Sequence, residues 1–374
     1  MYIMNIQDSY DVVILGGGLA GLTLSLQLKA EKPELSICVL ERRKTEATAS
    51  AHKVGESTVE LGTYYLREVL GLKDYLDKHQ LPKYGLRFYF TPTQKEDLTK
   101  RTELGPKGSL KVPSHPIDRG VFENELFNRS KDAGNDVFLG TRVDSVEMEG
   151  ENHSIHVSVS GEKRKITSKW VVDATGRREL LKRSLGKEKA LDHENSAIWF
   201  RVNEVIDVED WSQDETWKSK VPDEIRKLGT IHFMDEGYWL WLIPLSTNVT
   251  SVGIVFDHKM HKLEDLNSLD KAFEWMSKNE PQVFRELSKH KDKVLDFVPL
   301  RKYPHDCGEF YSHNRWAVVG EAGAFLDPFY SPGTDFIALG NSWVTDLISR
   351  DMSGEDVFIR SKVYDQTHKA LITN

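Results

Sequence analysis

Glycines spaced as G-x-G-x-x-G constrain the fold of this chain more than any other feature. The six residues 16–21 carry them and directly follow the apolar run 11–15. A helical stretch from about residue 20 to residue 30 comes next, and a second apolar run lies at 36–40. Continuous apolar strands around a helix indicate a parallel sheet covered on both faces. The spacing therefore predicts a strand–turn–helix–strand unit that binds a dinucleotide.

Each glycine of the motif has its own physical role in such a unit. Gly16 permits the tight turn, Gly18 lets the backbone approach a pyrophosphate, and Gly21 lets the helix pack closely on the strand. The helix start presents N–H groups and a partial positive charge to the phosphates. Glu41, twenty residues after Gly21, is placed to accept hydrogen bonds from ribose hydroxyls. The predicted cofactor-binding residues here are Gly16, Gly18, Leu19, Ala20, Gly21, Glu41 and Arg42.

Composition excludes several other classes of protein. With 374 residues, 39% apolar and 29% charged, the chain can form one large domain or two closely packed ones. A net charge of −8 argues against nucleic-acid binding, which needs a basic face. Two cysteines and no signal-peptide core predict a cytoplasmic protein without disulfides. No apolar run approaches the roughly 20 residues of a membrane span, and no cluster of ligands predicts a metal site.

The rest of the chain alternates between strand and helix patterns. The sequence predicts antiparallel strands at 136–174, a β-rich segment at 196–257, helices at 262–291 and a helix from about Ile337. The polar segment 93–111 has no apolar period and predicts a solvent-exposed loop or lid. Because the parallel-sheet pieces are separated in sequence, the dinucleotide domain is expected to be discontinuous, with a mixed β domain inserted.

Two later motifs distinguish FAD from NAD. Residues 170–177, which include Asp173 and Gly176, resemble the second nucleotide motif of the large FAD-hydroxylase fold group. Residues 319–323 resemble its third motif, in which an acidic residue binds the ribityl chain; here that residue is Glu321, where Asp is commoner. A second G-x-G-x-x-G motif for NAD(P)H is absent from the sequence. The resemblance implies bound FAD.

This resemblance also implies a fold class and a domain division. The expected fold is α/β (α+β), with a Rossmann-like FAD-binding domain and a mixed β-sheet substrate domain, as in the PHBH-like (GR2) flavoproteins. We predict an FAD-binding domain at 8–65, 115–190 and 300–350, a substrate domain at 66–114 and 191–299, and a C-terminal helical tail at 351–374.

An aromatic motif narrows the family. Residues 239–244 fit W-x-W-x-I-P, the signature of the flavin-dependent halogenases, with Trp239 and Trp241 at positions i and i+2. Such residues lie on one face of a strand. The two indoles are expected to separate the flavin from the substrate, so that oxygen is not transferred to it directly. The alternative is an aromatic strand that only fills a core.

A second halogenase motif follows Glu321. Residues 325–333 fit F-x-x-P-x-x-S-x-G, with Pro328, Ser331 and Gly333 at the fixed positions. The family places its halide and flavin loop here, and consecutive N–H groups ahead of a helix, including that of Thr334, form an anion site. The alternative is a loop that only holds the flavin ring.

A third motif supplies a candidate catalytic lysine. The run that begins at Lys83 resembles K-x-G-A of the halogenases that act on phenols, pyrroles and carrier-bound substrates, with Leu86 in place of Ala. The family's lysine captures or orients hypohalous acid, and an ammonium on a flexible stem suits that role. Residues 53–57 resemble the family's V-G-E-x-T segment, and 115–119 a segment whose arginine lies near FAD. Further predicted FAD contacts are Lys53, Glu56, Ser57, Arg119, Val143, Asp173, Gly176, Glu321, Pro328, Gly333 and Thr334.

Two departures from the family pattern qualify the function. Tyr330 stands where the tryptophan-specific members carry Glu, which disfavours free tryptophan and favours a phenolic or other electron-rich ring. Pro332 has no N–H, although the family commonly uses the amide of that position to hold halide.

The resemblance implies an FAD-dependent halogenase-type oxidoreductase. Reduced FAD from a separate flavin reductase, O2 and chloride or bromide would halogenate a small phenolic or pyrrole-like aromatic substrate, possibly carrier-bound. The predicted catalytic residues are Lys83, Trp239, Trp241 and Ser331. Alternatives are an FAD-dependent monooxygenase or dehydrogenase of the same fold, which Pro332 supports, and a non-catalytic flavin-binding protein.

Overall fold

Two β-sheets organise the computed structural model. It describes residues 6–48, 53–90, 95–108, 112–191, 194–222 and 225–373. Within these ranges, the strands are β1 (Ser9–Leu15), β2 (Ile37–Leu40), β3 (Leu86–Phe90), β4 (Thr102–Leu104), β5 (Asp136–Phe138), β6 (Thr141–Glu147), β7 (His153–Val159), β8 (Glu162–Asp173), β9 (Glu188–Lys189), β10 (Asn195–Val202), β11 (Thr230–Asp235), β12 (Tyr238–Pro244), β13 (Thr250–Asp257), β14 (Val294–Leu300), β15 (Asp306–Cys307), β16 (Tyr311–Ser312) and β17 (Trp316–Val318).

Helices cover both sheets. In the same part of the chain they are α1 (Leu19–Glu31), α2 (Glu60–Tyr64), α3 (Lys73–His79), α4 (Arg119–Asp132), α5 (Leu180–Ser184), α6 (Glu215–Lys218), α7 (Leu269–Asn279), α8 (Pro281–Ser288), α9 (Gly333–Met352) and α10 (Phe358–Thr373). A π-helical turn, Tyr65–Val69, continues α2. No helix of the described ranges is long and apolar enough to cross a membrane.

The first sheet is the predicted dinucleotide unit. Its strand order is β16-β17-β8-β1-β2-β5, and β1 runs parallel to both β2 and β8. The first half of β8 also pairs antiparallel with β7, and β7 pairs antiparallel with β6. Val12 to Leu15 are fully buried, as expected for a strand covered on both faces. The strand–turn–helix–strand prediction is confirmed. The antiparallel prediction for 136–174 is confirmed for β6, β7 and the first half of β8, whereas β5 and the second half of β8 pair in parallel with β2 and β1.

The second sheet carries the tryptophan motif. Its order is β14-β10-β13-β12-β11-β3-β4, and its pairs are antiparallel except for β11 with β3. The alternation of β12 divides its side chains between two faces. Leu240 and Leu242 pack in the core that α7 and α8 cover, whereas Trp239 and Trp241 lie in a separate cluster on the opposite face. The predicted placement of both indoles on one face is confirmed.

The segment 93–111 was predicted wrongly as a solvated loop. Among its described residues, 102–104 form β4, which pairs with β3. Arg101 is buried and donates to Glu280 at 2.6 Å, while Glu103 accepts from Arg87 at 2.6 Å and from Arg226 at 2.8 Å. These ion pairs replace water around the charged groups. Charged side chains of this polar segment can therefore be held within the fold.

The helix predicted from about Ile337 is α9, and it begins slightly earlier than that pattern indicated. The helix begins at Gly333, four residues before Ile337, with Pro332 as its N-cap residue. A proline is tolerated where a helix begins because the N–H it lacks would have no intrahelical partner there. The Pro-Gly pair looks like a loop in sequence and is a helix start in the structure.

The predicted domain boundaries agree only in part with the way the elements pack. Residues 66–79 were predicted in the substrate domain, but Leu66, Leu72 and Leu76 pack in the core of the first sheet. The predicted boundary between 350 and 351 falls inside α9. The division itself stays a prediction.

Candidate active site

A cleft of about 580 Å³ lies at the carboxyl ends of β1, β2 and β8. Ligands of parallel α/β sheets bind at this end, and the volume falls within the roughly 300–1,000 Å³ of ligand pockets. Its lining includes the predicted residues Gly16, Gly18, Leu19, Ala20, Glu41, Arg42, Lys53, Arg119, Val143, Gly176 and Glu321. The structure therefore brings most of the predicted cofactor contacts together in one cleft.

The three glycines of the first motif meet different surroundings. A Cβ at Gly16 would lie 2.3 Å from Ala174 O, and one at Gly21 would lie 2.0 Å from Gly16 O. Both glycines are thus required by the packing of the protein itself. A Cβ at Gly18 would meet only Lys53 Nζ, at 3.7 Å. Gly18 is also the N-cap residue of α1, so the first N–H groups of that helix are open to an anion.

Glu41 shapes the wall where a ribose is expected. Its Oε2 accepts from Gly17 N at 2.9 Å and its Oε1 from Arg43 N at 2.8 Å. A carboxylate has about four acceptor sites, so each oxygen can accept one further hydrogen bond. The backbone bonds fix the carboxylate at the cleft and leave it able to bind hydroxyl groups.

The cleft carries a positive potential suited to a diphosphate. The basic residues of its lining are Arg42, Lys53, Arg119, Arg177 and Arg178. Burial, and after it the charge of Arg42, lowers the pKa of Arg178. Arg119 Nη2 donates to Glu123 Oε1 at 2.7 Å, and Lys53 pairs with Glu123 Oε2. The cleft thus combines an open helix start, a close backbone approach and excess positive charge, and these features fit the pyrophosphate of FAD.

Asp173 lies behind the cleft instead of in its wall. The carboxylate is fully buried and accepts from Thr175 N at 2.8 Å and Leu181 N at 2.7 Å. Burial raises its pKa. Both bonds hold the turn that leads to Gly176, whose φ is +60°. Asp173 therefore fixes the conformation of the turn that lines the cleft and does not itself line the cleft.

A second cavity continues from the cleft toward the second sheet. Leu19, Val54, Arg119 and Glu321 line both spaces, so the two are contiguous. The second cavity is lined by eight further predicted residues, whereas Lys83, Gly21 and Asp173 are not among the described lining of either space. The eight are Glu56, Ser57, Trp239, Trp241, Pro328, Ser331, Gly333 and Thr334. We call it the aromatic cavity. Burial raises the pKa of Glu321, which stands where the two spaces meet.

The two indoles form one side of the aromatic cavity. The ring centroids of Trp239 and Trp241 lie 5.5 Å apart, and Trp241 Nε1 donates to Ser251 Oγ at 3.2 Å. A Cβ at Gly253 would lie 2.1 Å from the ring of Trp241, so the neighbouring strand must be glycine there. The indoles are fixed by packing and by this hydrogen bond, which makes them a rigid wall.

Lys83 is buried beside the aromatic cavity. Its side chain is 3% exposed, and its Nζ donates to Ser57 Oγ at 2.6 Å and to Thr58 O at 2.7 Å. Burial lowers the pKa of Lys83 to about 7, opposed by the carboxylates of Glu60 and Asp335. Ser57 lines the cavity and also lies 3.2 Å from Thr230 Oγ1. The lysine therefore reaches the cavity at the hydroxyl of Ser57.

The loop before α9 forms another side of the aromatic cavity. Ser331 is buried with a φ of +59°, and its N–H donates to Pro328 O at 2.8 Å. Gly333 and Thr334 follow as the first residues of α9. Their N–H groups belong to the first turn, which has no intrahelical acceptors. The loop thus delivers a helix N-terminus to the cavity.

His232 lines the aromatic cavity but was not predicted from the sequence. His232 stacks on Phe88 with centroids 4.9 Å apart and contacts Trp239 at 5.4 Å. Burial lowers its pKa to about 3, so the imidazole is neutral. Its Nδ1 has no hydrogen-bond partner within the described ranges. Only the register that pairs His232 with Trp241 places it here, and a single sequence does not reveal register.

Comparisons with known proteins agree with this geometry. The model of the FAD binding domain family matches residues 9–280. The flavin-dependent halogenase chlA of Dictyostelium discoideum is 29% identical over 97% of this chain and 64% of its own length. The 1H-pyrrole-2-carbonyl-[peptidyl-carrier protein] chlorinase of Pseudomonas fluorescens is 27% identical over 89% of this chain and 74% of its own length.

Solved structures share the fold. A variant of halogenase PltM in complex with FAD superposes with a TM-score of 0.81 at 17% identity, covering 97% of this chain and 74% of that one. The PHBH-like α/β fold is therefore confirmed. The chain spans just under two thirds of the length of the Dictyostelium relative.

Proposed function

The chain belongs to the FAD-binding domain family, among the flavin-dependent halogenases, and from this premise we propose that it halogenates an electron-rich aromatic substrate. The reaction would use reduced FAD, O2 and chloride or bromide. The substrate class is phenolic or pyrrole-like, and the expected chemistry is the replacement of a ring hydrogen by halogen.

One observation carries this proposal: a buried lysine donates a hydrogen bond to Ser57, which lines a tryptophan-walled cavity contiguous with the FAD cleft. Lys83 is held by Ser57 and Thr58, and the cavity beyond Ser57 is closed by Trp239 and Trp241. Within the described residues, Lys83 Nζ has Ser57 and Thr58 as hydrogen-bond partners and no carboxylate. Burial of an ammonium group without a carboxylate partner is costly, which favours a functional role over a structural one.

The two tryptophans and Lys83 have different proposed roles in the reaction. When bound, reduced FAD would give two electrons to O2, and the oxygen reduced in this way would be the oxidant that takes two electrons from the halide to form hypohalous acid. Trp239 and Trp241 keep the aromatic substrate away from the flavin. The ammonium of Lys83 donates a hydrogen bond to the oxygen of hypohalous acid. When the halogen forms its bond to carbon, the O–X bond breaks and the lysine proton passes to the departing hydroxide, giving water.

The depressed pKa of Lys83 suits that proton transfer. Burial brings it to about 7, so the ammonium is a much stronger acid than an exposed lysine. A group whose pKa lies near the working pH is the best general acid, because a large fraction of it is protonated and the protonated form is still acidic enough to transfer its proton.

The start of α9 is the proposed halide site. Ser331, Gly333 and Thr334 line the aromatic cavity at a helix N-terminus, where the first N–H groups have no intrahelical acceptors. The partial positive charge there favours an anion. Pro332 removes one donor, so halide should bind more weakly than with a full set of N–H groups.

Partners and setting follow from the same chemistry. A separate flavin reductase would supply reduced FAD, since the sequence has no second dinucleotide motif. A carrier-bound substrate is supported by the pyrrole relative, whose name describes a peptidyl-carrier substrate. Two buried free cysteines, Cys38 and Cys307, support a reducing cytoplasm. The first sheet with its cleft would be the FAD-binding domain, and the second sheet the substrate domain.

A halide-independent monooxygenase or dehydrogenase is the second candidate function. Pro332 favours it, because the loop that would hold halide lacks one N–H. The two candidates differ in their product: halogenation adds Cl or Br to the ring, whereas the second candidate hydroxylates or desaturates the substrate.

The test is the Lys83→Met variant, which keeps the length of the side chain and removes its proton. With reduced FAD, bromide and a phenol panel, we expect FAD binding and flavin oxidation to persist while halogenated product is lost. Lys78→Met is the matched control, because Lys78 is exposed on α3. Equal product yields from Lys83→Met and wild type would contradict the proposed role.

A further inference from the structure

Glu56 is a buried carboxyl group in the wall of the aromatic cavity. It is 1% exposed and immediately precedes Ser57, which accepts the hydrogen bond of Lys83. Sequence resemblance suggested a contact with FAD, but Glu56 lines the aromatic cavity and is not part of the described lining of the FAD cleft. Glu56 therefore lines the same cavity as Trp239 and Trp241, and we place the aromatic substrate in this cavity.

The hydrogen bonding of Glu56 is incomplete. Its Oε2 accepts from Ser251 Oγ at 3.2 Å, the same serine that accepts from Trp241. Its Oε1 is buried and has no partner in the part of the chain that the structure describes. Buried polar atoms are satisfied in the great majority of cases, so an unsatisfied carboxyl oxygen requires an explanation.

The nearby cations have other partners. Arg201 Nε donates to Asp296 at 3.0 Å, and Arg119 Nη2 donates to Glu123 at 2.7 Å. No ion pair within the described ranges therefore holds Glu56. A structural role would be served better by a neutral residue of the same size, since an unpaired buried carboxylate destabilises the fold.

Few other groups in the aromatic cavity could accept a proton. Among its described lining residues, the carboxyl groups are those of Glu56 and Glu321, and Glu321 also lines the FAD cleft. His232 has a pKa of about 3 and is a poor proton acceptor. Tyr330, at the position where tryptophan-specific halogenases carry Glu, is 66% exposed and offers no carboxylate.

We propose that Glu56 takes up the proton that the aromatic ring loses when halogen is added. The inference rests on the proposed halogenation and names its proton acceptor. The ring carbon first bonds to the halogen as the O–X bond breaks and hydroxide leaves with the proton of Lys83. The C–H bond then breaks, its electron pair restores the aromatic ring, and its proton passes to the carboxylate of Glu56.

The electrostatics of the site suit this role. Burial raises the pKa of Glu56 to about 7. The charges of Arg201 and Arg119 and the hydrogen bond from Ser251 oppose that rise, and the carboxylate of Asp118 adds to it. The carboxyl group is active as a proton acceptor when it is deprotonated, so its contribution is lost as the pH falls through about 7. A base with a pKa near neutrality is strong enough to accept the proton and is regenerated readily.

The test is the Glu56→Gln variant, which keeps the size of the side chain and an oxygen that can accept from Ser251. We expect its rate of halogenated product formation to fall by about 100-fold or more, the usual contribution of a general base. FAD binding and the melting temperature should be retained, since a neutral amide replaces an unpaired buried acid. Glu34→Gln, at an exposed position, is the control and should match wild type.

Two further readouts separate a proton acceptor from a structural residue. Product formation by wild type should decline as the pH falls through about 7, and Glu56→Gln should lose that decline. A ring-deuterated substrate should react more slowly than its hydrogen form in Glu56→Gln, because C–H cleavage becomes rate-limiting there. If the wild type forms halogenated product and Glu56→Gln has the same rate and pH dependence, the proposed role of Glu56 is wrong and the proposed function still stands. Absence of halogenated product from wild type would overturn the proposed function and this inference with it.

Discussion

At the scale of single residues, one sequence motif contains positions with opposite requirements. Gly16 and Gly21 are glycines because backbone oxygens of the protein occupy the space of a Cβ. Gly18 is different, because only the flexible end of Lys53 lies within 4 Å of the position of its Cβ. The spacing alone predicted all three as cofactor residues. The structure accounts for Gly16 and Gly21 by the folding of the turn, whereas the packing of the protein does not require glycine at position 18.

Replacement of Gly18 by valine should therefore abolish FAD binding without unfolding the protein. The side chain would enter the space of the pyrophosphate and meet no backbone of the protein. FAD at 100 times its Kd should stabilise wild type by about 2.7 kcal/mol, and this gain should vanish in Gly18→Val. Thermal unfolding with and without FAD measures it.

Gly108→Val is the matched control for this experiment, because a Cβ at Gly108 meets nothing within 4 Å. It should respond to FAD as wild type does. Full FAD occupancy in folded Gly18→Val would show that the first glycine turn is not the pyrophosphate site.

The buried ammonium of Lys83 should destabilise the folded protein. Its pKa falls from about 10.5 to about 7 on folding, so the unfolded chain holds the proton more tightly. The destabilisation is complete below pH 7 and fades as the pH rises from about 7 to 10.5, where the unfolded lysine also loses its proton. Lys83→Met should therefore melt at a higher temperature than wild type at neutral pH.

The pH dependence of this difference is the diagnostic measurement. The gain in melting temperature of Lys83→Met over wild type should shrink between pH 7 and pH 10. A gain that does not change with pH would mean that Lys83 has an ordinary pKa in the folded protein.

At the scale of elements, β12 and α9 show what sequence can and cannot predict. The W-x-W alternation of β12 predicted two indoles on one face, because side chains of a strand alternate whatever its partners are. The apolar pattern indicated a helix only from about Ile337, because Pro332 and Gly333 are typical of loops, whereas α9 begins at Gly333 in the structure. The proposed halide site depends on that start.

Restoring an N–H at the start of α9 should strengthen halide binding. Pro332→Ser adds one donor and places a favoured N-cap residue at the same position. A charge-assisted hydrogen bond contributes about 1–3 kcal/mol, so the halide concentration for half-maximal product formation should fall roughly tenfold to a hundredfold. The measurement is product yield against bromide and chloride concentration.

Pro281→Ser is the control, since Pro281 also begins a helix, α8, on the other side of the second sheet. It should leave the halide requirement unchanged. An unchanged requirement in Pro332→Ser would argue against a halide site at the start of α9.

At the scale of the whole molecule, the two sheets meet at contiguous spaces for cofactor and substrate. The FAD turn could be predicted because its glycines, helix and acidic residue are close in sequence. The aromatic cavity could be predicted only where motifs are local, as for Trp239 and Trp241. His232 and the buried Arg101–Glu280 pair arise from contacts between distant segments, and no local pattern in one sequence reveals them.

We propose that this molecule couples FAD to halogenation of an electron-rich ring. The most direct test is mass spectrometry of the products that the wild-type protein forms from reduced FAD, O2, chloride or bromide and a panel of phenols and pyrroles. We expect products that carry the isotope pattern of the supplied halogen, and we expect Lys83→Met not to form them. Hydroxylated or desaturated products without halogen, at high concentrations of both halides, would contradict this proposal.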